Sequence, residues 1–297
     1  MIVTATPRYL RIIRDVWRPL TALFVWDVVV TVAYYVLPFE APSLPLTLFG
    51  SALALFLGFR DNSAYQRWWE GRVLWGSMIN ASRTLAREVV TFMPYAATGP
   101  LWDLKRTIVL RQIAYVHALR CQLRRLDPAP DVHRFLSAGE AAGPLSRTNV
   151  ANGIIDGTAG RIAKARREGH IDSILHAALE RTLTDITNAQ GGMERLKNTP
   201  LPNQYRFFPT LFTRLFCILL PIGLVETLGW ATPIGSTVAG LMFLAVLQIG
   251  DDLTDPFANT VHDVPLDAIC RTIEIDLLQA IGDAAPVPLA PDGDVLW

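Results

Sequence analysis

The sequence predicts an all-α membrane protein, with four transmembrane helices in two hairpins and a helical cytosolic region between the hairpins. Three observations predict it. Hydrophobic residues make up 51% of the 297 residues and charged residues only 18%, whereas about a quarter of an average soluble domain is charged. Four apolar runs fall into two widely separated pairs. The long stretch between the pairs is charged, and its apolar residues recur at helical spacing.

Residues 1–20 read as a cytosolic segment. Arg8, Arg11, Arg14 and Arg18 stand against Asp15 ahead of the first apolar run, and short basic flanks stay on the cytoplasmic side. The run lacks the small-residue site and shortness of a cleaved signal, so it reads as retained. Residues 21–59 hold the first two spans. Thr21 to Leu37, interrupted only by Asp27, approaches the ~20 residues that cross a ~30 Å hydrocarbon layer. After Pro38, Pro42 and Pro45, Leu46 to Phe59 is apolar but short, and it continues into Arg60-Asp61-Asn62 as a helix leaving the membrane. The intervening loop carries Glu40 and no basic residue, which suits the outer side.

Residues 60–205 read as the cytosolic helical region: Val73, Leu74, Ser77, Met78, Ala81, Leu85 and Val89 alternate with Arg72, Arg83 and Arg87 at helical spacing. Breaks are expected at Met93 to Pro100, Asp127 to Asp131 and Gly139 to Gly153. Residues 206–250 hold the second pair, Phe207 to Leu228 and Pro233 to Gly250, joined by an uncharged turn. Residues 251–297 return to the cytoplasm, placing both termini there, and the Pro-rich end from Ala285 reads as extended or mobile.

Twenty-seven basic residues balance twenty-seven acidic ones, so no global basic field argues for a nucleic-acid partner. Cys121, Cys217 and Cys270 are odd in number and far apart, which excludes a disulfide scaffold and a C-x-x-C knuckle. They read as buried, reduced thiols. No G-x-S-x-G, H-E-x-x-H, P-loop or G-x-G-x-x-G occurs. His117, His133, His170, His176 and His262 form no i, i+3 or i+4 pair. No catalytic residue, metal ligand or cofactor is therefore expected. One rival exists: Asp251-Asp252-Leu253-Thr254-Asp255 places three carboxylates on one side of a turn, where a membrane prenyl-transfer enzyme would hold magnesium and a diphosphate. The same acids also suit helix capping and arginine pairing.

In the second span Ser51, Leu55 and Phe59 fall at i, i+4 and i+8, one stripe of a helix. Such a stripe lines an apolar constriction or packs against a neighbouring helix, and spacing alone fits both. Asp27, Arg214 and Glu226 lie inside spans and must face protein partners or water, as ion pairs or along a pathway. Trp68, Trp69, Arg67 and Arg72 suit an interfacial anchor that meets lipid headgroups.

The run Leu57-Gly58-Phe59-Arg60-Asp61-Asn62-Ser63-Ala64-Tyr65-Gln66-Arg67-Trp68-Trp69-Glu70-Gly71-Arg72 resembles the signature of the bestrophin family in its bacterial branch. So does Asp255-Pro256-Phe257 followed by Asp263-Val264-Pro265-Leu266-Asp267. The resemblance implies a homopentameric ion channel, a ring around one central pore, in the bacterial inner membrane among lipids. By that likeness Ser51, Leu55 and Phe59 form the pore neck, and Ile174 the cytosolic aperture. Ser51 departs from the large apolar residue expected there, leaving the outer ring wider and wetter. Animal members bind calcium through a run of acids after the equivalent of Asp255-Pro256-Phe257. Here Asp263 is the one carboxylate in Ala258 to Asp263, too little charge for Ca²⁺, and no calcium control is expected.

The resemblance implies a small monovalent ion as the permeating species. The bacterial branch and the acids near the pore ends, with Asp172 and Asp61 as candidate selectivity or lining residues, favour cations such as sodium or potassium. An anion channel passing chloride, as in animal bestrophins, is the alternative. A membrane scaffold binding through the cytosolic helices is the remaining class.

Overall fold

The computed structural model describes residues 1–2, 9–37 and 42–297, with residues 9–13 described by their backbone alone. Arg8 and Glu40, and the side chain of Arg11, which entered the charge argument, lie outside the described residues. The helices are α1 (Tyr9–Val36), α2 (Leu46–Phe92), α3 (Pro100–Arg124), α4 (Ala129–His133), α5 (Ala138–Leu145), α6 (Val150–Arg167), α7 (Ser173–Asn198), α8 (Asn203–Leu228), α9 (Thr232–Leu253) and α10 (Leu266–Ala280). Among the described residues no strand forms, only isolated bridges of Val295 with Ile2 and with Asp292. The chain divides into two compact units, Thr4–Trp68 with Pro200–Thr254, and Met1–Val3 with Trp69–Thr199 and Asp255–Trp297.

The first unit is the apolar one. Two of its helical stretches are long and apolar enough to cross a membrane, Arg14–Val36 and Asn203–Leu253. The second has 51 residues, about 75 Å of helix against a hydrocarbon core of ~30 Å. It folds back on itself at Gly229, where φ is 55°, so that α8 packs on α9. Leu53 and Leu57 of α2 join Phe216, Leu220 and Leu247 in the core. Much of the rest of the apolar surface faces outward: Val29, Val36, Phe207, Ile234 and Met242 are all exposed, an arrangement that suits lipid and not water.

Asp27, wholly buried, fastens α1 to α9 by accepting from the hydroxyls of Ser236 and Thr237, both at 2.9 Å. Its partners are therefore neutral donors and not an arginine. Arg214 and Glu226 are both exposed on α8. Trp26 adds a second tie, donating its indole N–H to the Ile218 carbonyl at 3.0 Å.

The second unit is built around α3. Ile108, Ile113, Tyr115, Val116 and Leu119 point to different sides of that helix and all are fully buried, because α6, α7, α10 and α4 surround it. A helix enclosed in this way must satisfy the polar side chains it buries, and four of them reach different neighbours. Arg111 donates to the Ile154 carbonyl at 2.7 Å and to Glu140 at 2.8 Å. Gln112 donates to Ser82 of α2, the Tyr115 hydroxyl to Gln190 of α7, and His117 meets Glu274 of α10 at 3.2 Å.

Lys105 solves a different local problem. α2 ends without a basic residue in its last turn, leaving carbonyls without helical partners. The buried Lys105 ammonium donates to the carbonyls of Val90 and Met93, both at 3.1 Å.

The break at Met93 falls as expected, while the one placed over Asp127 to Asp131 lies earlier, at 125–128, since Ala129 and Asp131 belong to α4. The one placed over Gly139 to Gly153 is narrower, since Gly139 and Gly143 lie inside α5 and Gly153 inside α6, and only 146–149 separate the two helices. The tail is more fastened than its proline content suggests: Leu296 exchanges backbone hydrogen bonds with Met1, and Ala268 donates to the Trp297 carbonyl at 2.7 Å. All three cysteines are buried and free.

Lys105→Met leaves two buried carbonyls unpaired and should lower stability by about 1–3 kcal/mol, read as a lower thermal midpoint of the purified protein. An unchanged midpoint would remove the capping role. Glu140 supplies a pH dependence. Burial raises its pKa, but the guanidiniums of Arg161 and Arg111 outweigh burial and hold it below the ordinary 4.5. A depressed folded pKa means that this stabilisation is complete above 4.5 and is lost as pH falls through the lower folded value. Glu140→Gln should therefore flatten the fall in thermal midpoint between about pH 5 and pH 3. An equally steep fall in the variant would show that other carboxylates carry it.

Candidate functional site

The first half of α2 buries one side and leaves the other bare. Leu53, Leu57, Arg60 and Ala64, at successive helical turns, are each at most 5% exposed. On the far side Leu55 is 63% and Phe59 62% exposed, and Ser51 is exposed with them. The stripe expected from spacing is thus one continuous uncovered face. Beside it Phe49, Ala52, Phe56, Phe212, Leu215 and Leu219 line an apolar groove of about 470 Å³.

The uncovered face continues past the residues that the spacing singled out. Asn62 and Gln66 are exposed and follow Phe59 at i+3 and i+7, on the same side of the helix. From Ser51 to Gln66 the face runs about 22 Å, apolar around Leu55 and Phe59 and amide-bearing beyond. The signal in the sequence is the continued three- and four-residue spacing, which apolar character alone does not carry past Phe59 because Asn62 and Gln66 are polar.

Arg60 fixes which way this face points. It stands beside Asp61 at the inner end of the stripe, as expected, but on the buried side of α2 with Leu57 and Ala64, and is 2% exposed. Its guanidinium donates to the Leu247 carbonyl at 2.9 Å and to the Asp251 carboxylate, both on α9. Arg67, two turns on, donates to the Thr254 carbonyl at 3.1 Å, so its charged end is engaged by its own chain. Gly250 makes the approach possible: a Cβ there would stand 2.1 Å from Asp61 Oδ1 and 2.7 Å from Arg60 Nη1. Asp61 itself sits 3.6 Å from Arg60 with its side chain 21% exposed.

Ile174 occupies the first turn of α7 and is 76% exposed. Asp172, the residue before the helix, accepts from the Ile174 and Leu175 N–H groups at 2.8 Å each. Its carboxylate therefore holds the backbone of the turn that carries Ile174.

The acidic cluster does not converge. Asp251 binds Arg60, Asp252 accepts from Gln248 at 2.8 Å, and Asp255 accepts from Lys197 at 2.7 Å and from the Phe257 N–H at 3.1 Å. Among the described residues no group of three or more His, Cys, Asp and Glu side chains is arranged to hold a metal ion. Asp263 turns its carboxylate onto Thr260, accepting from the backbone N–H at 3.0 Å and the hydroxyl at 2.6 Å. It closes a turn.

Comparison with known proteins places this arrangement. A family model described as Bacterial/Fungal Bestrophin protein matches residues 6–279. The Voltage-dependent anion channel-forming protein YneE of Escherichia coli K12 is 38% identical over 250 residues, covering 84% of this chain and 80% of its own. The Voltage-dependent anion channel-forming protein mll4386 of Mesorhizobium japonicum is 36% identical over 242 residues, covering 82% and 76%. A crystal structure of a bacterial bestrophin homolog from Klebsiella pneumoniae superposes with a TM-score of 0.84 at 32% identity, over 89% of this chain and 98% of that one. With the match running almost from end to end and the strandless helical fold shared, the chain belongs to the bacterial/fungal bestrophin family.

Proposed function

We propose that the chain is one subunit of a pentameric ion channel in the bacterial inner membrane, with α2 lining the pore. The observation that carries this reading is the bare face of α2. In a chain whose opposite α2 face is packed, an uncovered row holding Leu55 and Phe59 is the surface that a ring of identical subunits would turn inward. The family supports it, and so do the two relatives named for channel formation.

Four spans cross the membrane on this reading: α1, the first turns of α2, α8 and α9. Leu46 to Phe59 is too short and mixed to stand alone as a span, and its protein neighbours Phe216, Leu220 and Leu247 supply the apolar surroundings it needs. Both termini and the charged unit lie in the cytoplasm. Rings of Leu55 and Phe59, with Ser51 outermost, form a neck that stops ions by dewetting, so that small side-chain rotations open or shut it. Ile174 forms a second constriction at the cytosolic aperture, its turn held by Asp172.

Monovalent cations are the favoured cargo. Arg60, the positive charge next to Phe59 in sequence, is withdrawn into the α9 contact, while Asp172 remains exposed, and acidic rings favour cations. The anion reading has its own support in the printed names of the relatives, voltage-dependent anion channel-forming proteins. The prenyl-transfer reading loses its basis, since Asp251, Asp252 and Asp255 are engaged with separate partners. The chain acts as a conduit and not as an enzyme, and nucleic acid has no part in it.

Planar-bilayer recordings under a potassium chloride gradient test the proposal. Reversal near the cation equilibrium potential is expected; reversal near the chloride potential would assign the channel to anions. Phe59→Ala combined with Leu55→Ala should raise the current, by about tenfold if it removes ~1.4 kcal/mol of the dewetting barrier. Unchanged current and open probability would refute the neck. Ile174→Ala should alter discrimination among ions of different size while leaving open probability alone, and selectivity identical to the parent would make Ile174 an ordinary surface residue.

A further inference from the structure

The geometry points to an ion-coordinating site of carboxamides, Asn62 and Gln66, immediately inside the apolar neck, which a permeating monovalent ion enters on leaving Phe59. The inference rests on the pore reading above and adds to it the place where the ion regains polar contacts. Asn62 and Gln66 are both exposed and lie on the face of α2 that carries Leu55 and Phe59. Asn62 is one turn and Gln66 two turns further along, about 4.5 Å and 10.5 Å of axial rise from Phe59.

Among the described residues no hydrogen bond engages either amide, whereas neighbouring polar groups on this stretch are used by the chain. Arg60 and Arg67 reach α9, and the Ser63 hydroxyl bonds back to the Phe59 carbonyl at 2.9 Å. Two long polar side chains on an otherwise apolar face, with their donors and acceptors left for whatever occupies the space in front of them, are placed for a mobile polar ligand. An ion crossing a dewetted ring has shed part of its hydration, and that cost falls if replacement dipoles stand directly beyond it.

The chemical class of ligand follows from the amide. A carboxamide is neutral and offers an oxygen acceptor and an NH₂ donor on one rotatable group. Ten of them, two from each of five subunits, can present oxygens to a cation or N–H groups to an anion. The site therefore lowers the barrier for small monovalent ions without fixing their sign. A carboxylate in the same place would fix it.

The test measures unitary conductance and reversal potential of the full chain in planar bilayers, all in a Phe59→Ala background so that gating does not mask conduction. Asn62→Leu with Gln66→Leu keeps the approximate size and removes the dipoles; unitary conductance should fall by at least about twofold. Asn62→Asp with Gln66→Glu should shift the reversal potential toward the cation equilibrium potential. If the background protein conducts and both double variants match it in conductance and reversal potential, the site is refuted and the pore reading stands. If both double variants instead lose the oligomer on size-exclusion chromatography, the amides hold subunits together and the ion site is refuted. If neither the background nor the parent protein conducts, the pore reading fails and the site falls with it.

Discussion

The buried guanidinium of Arg60 is the constraint on which the rest of the apolar unit depends. An arginine buried in an apolar unit is expensive unless its charge and its donors are met. The end of α9 meets both, with the Leu247 carbonyl and the Asp251 carboxylate. Satisfying Arg60 therefore sets the rotation of α2. Once that rotation is fixed, helical geometry leaves Leu55 and Phe59 on the opposite side, uncovered by their own chain. The bare stripe is thus a consequence of where a charge can be buried, and Gly250 is the position at which the two helices are allowed to come close enough.

The charged unit follows the same logic. α3 is largely enclosed by other helices, so the polar residues it buries cannot be solvated and serve instead as fastenings to its neighbours. Arg111, Gln112, Tyr115 and His117 together tie it to five others. Removing one partner of such a pair leaves the other buried and unpaired, which makes these ties directional specifications of the fold and not interchangeable contacts.

Much of this was legible in the sequence. Helical content, the paired apolar runs, the continuous passage of α2 from the apolar to the charged unit and the stripe through Ser51, Leu55 and Phe59 all follow from periodicity, which is a local property. What escaped was set by long-range contact. Arg60 reads as a charge at the inner end of the stripe until α9, 187 residues away, supplies its partners. Asp27 reads as an ion-pair or pathway residue until Ser236 and Thr237 arrive as donors. For Asp251, Asp252 and Asp255 the spacing fits both a shared metal site and arginine pairing, and the fold decides by giving them to Arg60, Gln248 and Lys197. The continuation of the face through Asn62 and Gln66 is hidden for a different reason: its spacing is plain, but neutral polar residues carry no apolar signal.

The Asp27 contact also bears on how the protein is made. Its hydroxyl partners lie 209 and 210 residues further along the chain, so at ordinary synthesis rates of about 5–20 residues per second α1 waits roughly 10–40 s before α9 exists. Through that interval the carboxylate has no native donors, and a charge held at such depth in a helix costs about 3 kcal/mol on insertion scales. The first helix is therefore only provisionally at home in the bilayer, and the last one to emerge secures it. Biogenesis of this subunit is in that sense closed from its C-terminal end, and a chain cut short before Ser236 would leave its opening helix without the contact that holds it in place.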